Sequence, residues 1–576
     1  MFPLLNREIA EIFERMADIL EIKAGNPFRI RSYRKAVRII GDMTQDVAEL
    51  AAAGRLTDIP GIGEGISGKI KEYLATGRIE KFEEMKKGVP GGLIALLSVP
   101  GLGPRTVAML HKELGVESAE DLRAAIKKGR LSGLAGMGEK KIGNMLRGLK
   151  LIREFGSRLP LGIALPVASE IVARLSRTAV VGEIEPAGSL RRRAETVGDI
   201  DILVGGRDGK SIIETFAGLA MVREVLASGE TKGSVIVEGG LQVDLRVVPR
   251  KSFGAALQYF TGSKSHNIHL RRIAREKGLK INEYGLFRGK KMLCGRTEKE
   301  IYKRLGMCWI PPELREDRGE IEAASVGKLP RLIRAADIKG DLHLHSQWSD
   351  GAASIRAIAA RAKAMGYGYM VISDHSRSLK IARGLSVESL RKQIAEIREL
   401  NSRLRGMRIL AGSEVDIMND GSLDFPDELL AELDFVIASI HGGFKQSREK
   451  ITERIVMAMK NPYVSAIGHP TGRLIGEREA YEVDIDRLLA AAAETGTALE
   501  LNAYYQRLDA GDLLCRRAKE KGVRISIGTD AHSPEQMWMM ELGVGTARRG
   551  WLEKKDVLNT MSLSELRKHL KKKRQK

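Results

Sequence analysis

The chain has 576 residues, more than one hydrophobic core usually organises, so several domains are expected. Hydrophobic residues make up 43% and charged residues 29%, which excludes a disordered chain, and no apolar run is long enough to span a bilayer. A net charge of +21 favours a polyanionic partner, and three cysteines without close spacing exclude a disulfide framework or a zinc knuckle.

The N-terminus mixes charge into an amphipathic pattern and shows no secretory signal, so a cytoplasmic protein is expected. Residues 1–150 read as short helices broken by glycine. Three segments there resemble one another: LTDIPGIGEGISGKIKEYL (56–74), LLSVPGLGPRTVAMLHKEL (96–114) and LSGLAGMGEKKIGNMLRGL (131–149). Each carries a Gly-x-Gly turn (Gly61 and Gly63, Gly101 and Gly103, Gly136 and Gly138) followed by a helix with apolar residues at helical spacing. Such turns occur as helix caps between packed helices. Three similar copies instead favour helix N-termini that offer backbone N–H groups to phosphates, with Lys69, Arg105, Lys140 and Lys141 adding charge.

From about residue 160 strand-like runs appear at 179–181, 199–204, 234–237 and 241–248, a mixed α/β texture. In AGSLRRRAETVGDIDILV (187–204), Asp199 and Asp201 are two apart on a strand and share a face, while Ile200 and Ile202 point the other way. In LQVDLRVV (241–248) the alternation leaves Asp244 on the polar face, where it can complete a three-carboxylate site. Such a site suits two Mg²⁺ ions and phosphoryl transfer. Gly188 and Ser189, with Arg192 nearby, offer donors for a triphosphate. A D-x-D pair alone is common on exposed strands. The glycine-serine turn before it and the third Asp after it make this one distinctive.

The polar stretch 311–338 reads as a linker. Beyond it, seven strand candidates (341–346, 369–376, 408–416, 434–443, 464–470, 498–503, 524–532) alternate with helices such as 352–365, 386–404 and 484–495. That cadence predicts parallel strands with crossover helices closing into a barrel. His343, His345, His375, His441, His469 and His532 fall within or at the C-terminal ends of these strands, Glu414 and Asp530 lie near two strand ends, and Asp350 follows the first strand. In a parallel barrel they are expected to meet at one mouth as a metal cluster. A lone histidine of this kind is usually hydrogen-bonded core. Nine ligands of the right type on one rim are not.

Residues 1–318 resemble the family X DNA polymerases. The family's GS…GDxD motif matches Gly188, Ser189, Gly198, Asp199 and Asp201, with Asp244 as third ligand. Tyr259, Phe260, Thr261, Gly262 and Ser263 match the segment that bounds the nucleotide sugar. Asn267 and Arg271 match contacts to the nascent base pair and template side, and GLKINEY (278–284) completes the likeness. Lys264 replaces an acidic residue of the vertebrate enzyme, which strengthens the hold on phosphate or DNA. Lys69 stands where lyase members carry a Schiff-base lysine, yet Gly65 and Phe28 replace its supporting lysine and histidine. A neutral amine needs such support, so a phosphate contact is the competing role for Lys69.

Residues 339–570 resemble the PHP (polymerase and histidinol phosphatase) domain. The family pattern assigns His343, His345, Glu414 and Asp530 to one metal and Glu414, His441 and His469 to a second. Asp350, His375 and His532 hold a third, so up to three Zn²⁺ or Mn²⁺ ions are implied. The expected architecture is multidomain. Residues 1–80 and 81–155 form helical DNA-binding regions with one and two helix-hairpin-helix motifs. An α/β nucleotidyltransferase palm (156–248), a nucleotide-binding subdomain (249–318) and a linker (319–338) follow. A distorted (β/α)7 barrel (339–570) and a basic tail (571–576) complete the chain. The resemblance implies a prokaryotic, monomeric repair polymerase that uses Mg²⁺ or Mn²⁺ and dNTPs on gapped or primed double-stranded DNA, with no membrane partner. Its PHP domain is implied to act as 3′-5′ exonuclease, 3′-phosphatase or abasic-site endonuclease. The rival readings are a DNA-bridging repair scaffold, or a PHP nuclease whose polymerase half is only a DNA grip.

Overall fold

The computed structural model describes residues 4–575 apart from 24, 42–46, 60, 77, 88, 91, 94, 95, 97–101, 132, 133, 135, 136, 139–141, 143, 144, 146–157, 178–180 and 238–240. Contacts divide the chain into two compact units, Met1–Ser157 and Arg158–Lys576. No helix among the described residues is long and apolar enough to cross a membrane. Of the three thiols, Cys515 is buried, Cys294 half-buried and Cys308 exposed, and all are free.

The first unit is built of helices, including Leu4–Ile22, Pro27–Gly41, Glu64–Thr76, Pro104–Leu114 and Ala119–Lys127, with no strand among its described residues. Helical spacing sets the burial. On Leu4–Ile22, Ile9, Phe13, Met16 and Ala17 fall on one stripe and are fully buried in a single core. Gly103 caps Pro104–Leu114, whose proline sits in the first turn, and Gly115 ends it in the left-handed conformation with φ +66°.

The second unit opens with a five-stranded sheet: β1 (Val181–Pro186), β2 (Ile200–Gly206), β3 (Val222–Ser228), β4 (Lys232–Val237) and β5 (Gln242–Val248), in the order β1-β2-β5-β4-β3. The central pair β2 and β5 is parallel and the other pairings are antiparallel. Helices Leu161–Leu175 and Gly209–Ala217 bury Ala168, Ile171, Ile212 and Phe216 against Ile200, Ile202, Val243 and Leu245. Sequence patterning misses β3, because this edge strand exposes nearly every residue and has no inward face to alternate against.

A helical layer with the antiparallel strands β6 (Lys280–Asn282), β7 (Gly285–Arg288) and β8 (Lys291–Cys294) follows. The polar stretch read as a linker packs onto this layer. Helix Glu320–Ser325 inserts Ile321 and Ala324 beside Ile301 and Tyr302. Buried Glu320 accepts from His266 Nδ1 at 2.6 Å, and fully buried Arg315 donates to Glu298 at 2.6 Å. Two of the charges that make this segment polar, Arg315 and Glu320, are thus buried in pairs, while Asp317, Arg318, Glu322, Lys328, Arg331 and Arg334 face solvent.

Seven parallel strands complete the unit in sequence order: β9 (Gly340–Asp341), β10 (Tyr369–Ile372), β11 (Arg408–Asp416), β12 (Phe435–Ser439), β13 (Val464–Ile467), β14 (Ala498–Asn502) and β15 (Ile525–Gly528). A parallel bridge between Leu344 and Ala531 brings the last strand back to the first, so the sheet nearly closes. Six of the strands lie within the expected runs, the first overlaps its run only at Asp341, and helices Ile355–Ala364, Val387–Arg403 and Ile485–Thr495 occupy the expected crossovers. The barrel packs directly on the five-stranded sheet's helical face. Gly162 leaves so little room that a methyl group there would meet Tyr505 Cβ at 2.4 Å, and Leu508, Met539 and Leu542 share the core of that face.

Candidate metal centres

The parallel register of β2 and β5 sets Asp201 opposite Asp244. Asp199, just before β2, joins them, and the three carboxylates can present oxygens all within 4.8 Å of one another. Burial and the two neighbouring carboxylates push Asp201 up to about 7. Lys232 Nζ stands 3.9 Å from Asp244, and Gln242 donates to the same carboxylate at 3.2 Å. Such a cluster, near which Lys232 and Arg246 act on Asp201 as cations, fits hard divalent ions held by oxygen.

The Gly188-Ser189 turn abuts this cluster. Gly188 has φ +60°, and a methyl group there would lie 2.4 Å from an Asp201 oxygen, so glycine is required on both counts. Arg192 Nε donates to Glu316 at 3.0 Å and its Nη1 to the Thr261 carbonyl at 2.8 Å. Tyr259 and Phe260 meet edge to face at 5.1 Å between ring centres, and Arg246 lies over the Phe260 ring at 4.7 Å. Asn267 Nδ2 donates to the Tyr259 carbonyl at 2.6 Å and its Oδ1 accepts from Gln258, while Arg271 stacks over Tyr259 at 5.5 Å. A methyl group on Gly262 would meet Asn267 Oδ1 at 2.6 Å. Ser263 caps helix Lys264–Glu276, and Lys264, its first residue, is exposed.

In the barrel, the nine expected residues converge. Glu414 lies at their centre. Its Oε2 is 3.0 Å from His375 Nδ1 and 3.4 Å from His343 Nε2, while its Oε1 is 2.9 Å from His469 Nε2 and 3.3 Å from His441 Nε2. Two oxygens facing two separate imidazole groups give this carboxylate the placement of a bridging ligand. Asp530 lies 3.1 Å from His345 Nε2, and Asp350 lies 3.2 Å from His532 Nε2 and 3.6 Å from His375 Nε2. Three overlapping groups can each surround an ion: His343, His345 and Asp530; His375, Glu414 and His441; and His345, Asp350, His375 and His532. His345 and His375 thus stand between groups that the family pattern keeps apart.

Burial raises Glu414, yet the surrounding His441, His343 and His375 hold its carboxyl well below the usual range. His343 Nε2 and His345 Nε2 face each other at 3.0 Å, and buried His345 Nδ1 and His469 Nδ1 have no hydrogen-bond partner. Imidazole nitrogens aimed together among carboxylates fit transition-metal ions.

Sequence reading missed the residues behind the cluster. Glu500 accepts from His343 Nδ1 at 2.5 Å, and Asp416 accepts from His441 Nδ1 at 2.6 Å. Asp416 could have been found, since it shares a strand face with Glu414 two residues away. Glu500 sits mid-strand in an apolar run and carried no such signal.

In the helical unit, Lys69 Nζ donates to the Gly65 carbonyl one turn back at 3.0 Å, and Phe28 is 74% exposed. Gly61, at φ +105°, leaves room for Lys35 and Ile39. Gly63 caps Glu64–Thr76 by accepting from the Ile66 and Ser67 N–H groups. Arg105 pairs with Glu21 at 3.0 Å. Gly101, Gly136, Lys140 and Lys141 lie outside the described residues, while Gly138 has open space around it.

Residues 5–79 match a helix-hairpin-helix domain and 93–151 a SAM-like helix-hairpin-helix tandem. Residues 256–316 match the DNA polymerase beta thumb and 341–504 the PHP domain. The chain is 43% identical to the DNA polymerase/3′-5′ exonuclease PolX of Bacillus subtilis (strain 168), over 98% of this chain and 99% of that one. It is 32% identical to a probable phosphatase of Thermoanaerobacter sp. (strain X514), over 41% of this chain and 96% of the relative. DNA polymerase lambda of Rattus norvegicus is 28% identical, over 54% of this chain and 56% of its own.

Proposed function

Because the chain belongs to the PolX family, family X DNA polymerases that carry a C-terminal PHP domain, we propose that it fills short gaps in DNA during repair and processes 3′ ends with its barrel. The observation that carries this reading is the presence of two separate clusters, one all-carboxylate and one rich in imidazole, within a single compact unit.

In the polymerase half, Asp199, Asp201 and Asp244 would hold Mg²⁺ or Mn²⁺, which lower the pKa of the primer hydroxyl and neutralise charge in phosphoryl transfer. The protein's own groups then orient the reactants. Gly188 and Ser189 approach the triphosphate closely, Arg192 supplies charge, and Tyr259 and Phe260 bound the sugar. Asn267, braced by Gln258 and the Tyr259 carbonyl, and Arg271 contact the base pair. The helix-hairpin-helix turns hold the DNA backbone through Lys69, Arg105 and the cations of the third hairpin.

In the barrel, the nine histidine and carboxylate ligands would hold up to three Zn²⁺ or Mn²⁺ ions, which activate water and stabilise the leaving oxygen of a phosphoester. Glu500 and Asp416 fix the orientation of His343 and His441. The site would act as a 3′-5′ exonuclease, 3′-phosphatase or abasic-site endonuclease. The protein is proposed to work in the cytoplasm as a monomer on gapped or primed DNA with dNTPs.

Clustering of Asp199, Asp201 and Asp244 favours an active polymerase over a bare DNA grip, and two ligand-complete clusters favour an enzyme over a bridging scaffold. The test is gapped DNA with Mg²⁺ or Mn²⁺ and dNTPs, comparing wild type, Asp244→Ala and His441→Ala. Extension is expected to vanish only in the first variant and nuclease only in the second. Extension by Asp244→Ala at the wild-type rate would reject the polymerase assignment, and undiminished hydrolysis by His441→Ala would reject the barrel assignment.

A further inference from the structure

We infer that Arg549, contributed by the barrel, positions Arg192 of the nucleotide pocket and keeps its charge available to an incoming triphosphate. The inference rests on the proposed nucleotide role of Arg192.

Arg549 ends helix Met540–Arg549, which follows the last barrel strand, and its side chain is only 9% exposed. Its Nη1 donates to Glu316 Oε1 at 2.8 Å and to the backbone carbonyl of Arg192 at 2.9 Å. Arg192 Nε donates to that same Glu316 oxygen at 3.0 Å. The barrel arginine thus touches both the main chain of Arg192 and the counterion of its side chain. At its other edge, Arg549 Nε donates to Asp512 at 3.1 Å, and Asp512 also accepts from Arg318 at 3.0 Å.

Three guanidiniums therefore face two carboxylates in one linked chain, which carries a single surplus positive charge. Arg192 is the member beside the Gly188-Ser189 turn, and its guanidinium donates through Nε to Glu316 and through Nη1 to the Thr261 carbonyl. With Arg549 in place, Glu316 is shared between two cations and Arg192 keeps net positive potential for a phosphate oxygen. Without Arg549 the linked chain becomes neutral, Glu316 binds Arg192 undivided, and the Arg192 main chain loses a donor. A half-buried pair of this kind is weakly screened by salt, so the change reaches the nucleotide pocket.

The test is steady-state gap filling with dNTP titration on the full chain. Arg549→Gln is expected to raise the dNTP KM by about tenfold and leave kcat within about twofold, the pattern of lost binding charge. Hydrolysis of bis(p-nitrophenyl) phosphate by the barrel serves as a check that the fold is retained and is expected to stay at the wild-type rate. The double variant Glu316→Gln/Arg549→Gln restores the surplus charge and is expected to bring KM back to within about twofold of wild type, which loss of packing alone would not do. Glu316→Gln alone is expected to lower KM below wild type, and it serves equally if Arg549→Gln fails to fold. An unchanged KM in Arg549→Gln, a raised KM that the double variant does not restore, or a KM in Glu316→Gln at or above wild type overturns the inference. Absence of extension by the wild-type protein would instead reject the polymerase reading beneath it.

Discussion

His343 and Glu500, 157 residues apart in the chain, meet at 2.5 Å behind the metal cluster, the imidazole Nδ1–H donating to the carboxylate. That bond fixes which nitrogen of His343 faces the cluster and raises its basicity as a ligand. Glu500→Gln keeps the shape and removes the charge. Metal affinity of the barrel is expected to fall about 10- to 100-fold, read by titrating the chelator-stripped protein with Zn²⁺ or Mn²⁺. Affinity equal to wild type would show that Glu500 plays no part in holding the metal.

Removing metal should destabilise the barrel unit in a way that its ligands predict. An ion that binds only the folded state adds about 2.7 kcal/mol at a free concentration 100 times its dissociation constant. Thermal unfolding of the chelated protein is therefore expected to shift upward on adding Zn²⁺ or Mn²⁺, and this shift should shrink in Glu414→Gln, whose carboxylate faces both imidazole groups. A full shift in that variant would place the ions elsewhere.

Gly188→Ala tests the close approach beside the carboxylates. The added methyl meets Asp201 Oδ2 at 2.4 Å and the backbone stands at φ +60°, a conformation costing a non-glycine residue about 1–2 kcal/mol. Primer extension is expected to fall by at least about 100-fold with phosphoesterase activity retained. Extension within a few-fold of wild type would mean that Asp201 tolerates displacement.

Glu298 ties two subdomains together, accepting from Arg191 at 2.8 Å, Arg315 at 2.6 Å and Trp309 at 3.1 Å. Burial raises a carboxyl, but Arg315 and Arg191 hold Glu298 far below its ordinary value. A depressed folded-state pKa contributes stability above the unfolded value near 4.5, and that contribution is lost as pH falls below it. Glu298→Ala leaves fully buried Arg315 unpaired, and a loss of about 3–5 kcal/mol is expected in urea unfolding at pH 7, narrowing as the wild type is taken to pH 3. A gap that stays constant with pH would assign the loss to packing.

Lys69 has its amine tied to the Gly65 carbonyl, and Gly65 and Phe28 stand in place of the supporting lysine and histidine of lyase members. Borohydride trapping on an abasic substrate is expected to give no more adduct with wild type than with Lys69→Ala, while DNA affinity of the variant falls and its salt dependence drops by about one phosphate contact. A strong adduct confined to the wild type would make Lys69 a nucleophile.

Much of this site was legible in the chain before folding. Period-two alternation placed Asp199, Asp201 and Asp244 on one side of their strands, because neighbouring apolar residues had to face a core. The rule that parallel strands in a barrel end at one mouth gathered nine ligands spread from His343 to His532. Where the signal was weak, the cause was local. Edge strand β3 has no buried face, so it left no alternation. The stretch 311–338 looked like linker because composition cannot distinguish charges such as Arg315 and Glu320, buried in pairs with Glu298 and His266, from hydrated ones.

The sequence by itself determined which residues could bind metal and which strands would carry them, since both follow from residue chemistry and side-chain periodicity. Tertiary structure alone decided that Glu500 would sit behind His343 and that Arg549 of the barrel would reach Arg192. Those pairings join residues more than 150 positions apart, and they depend on how sheet, helical layer and barrel pack together, which no local pattern encodes.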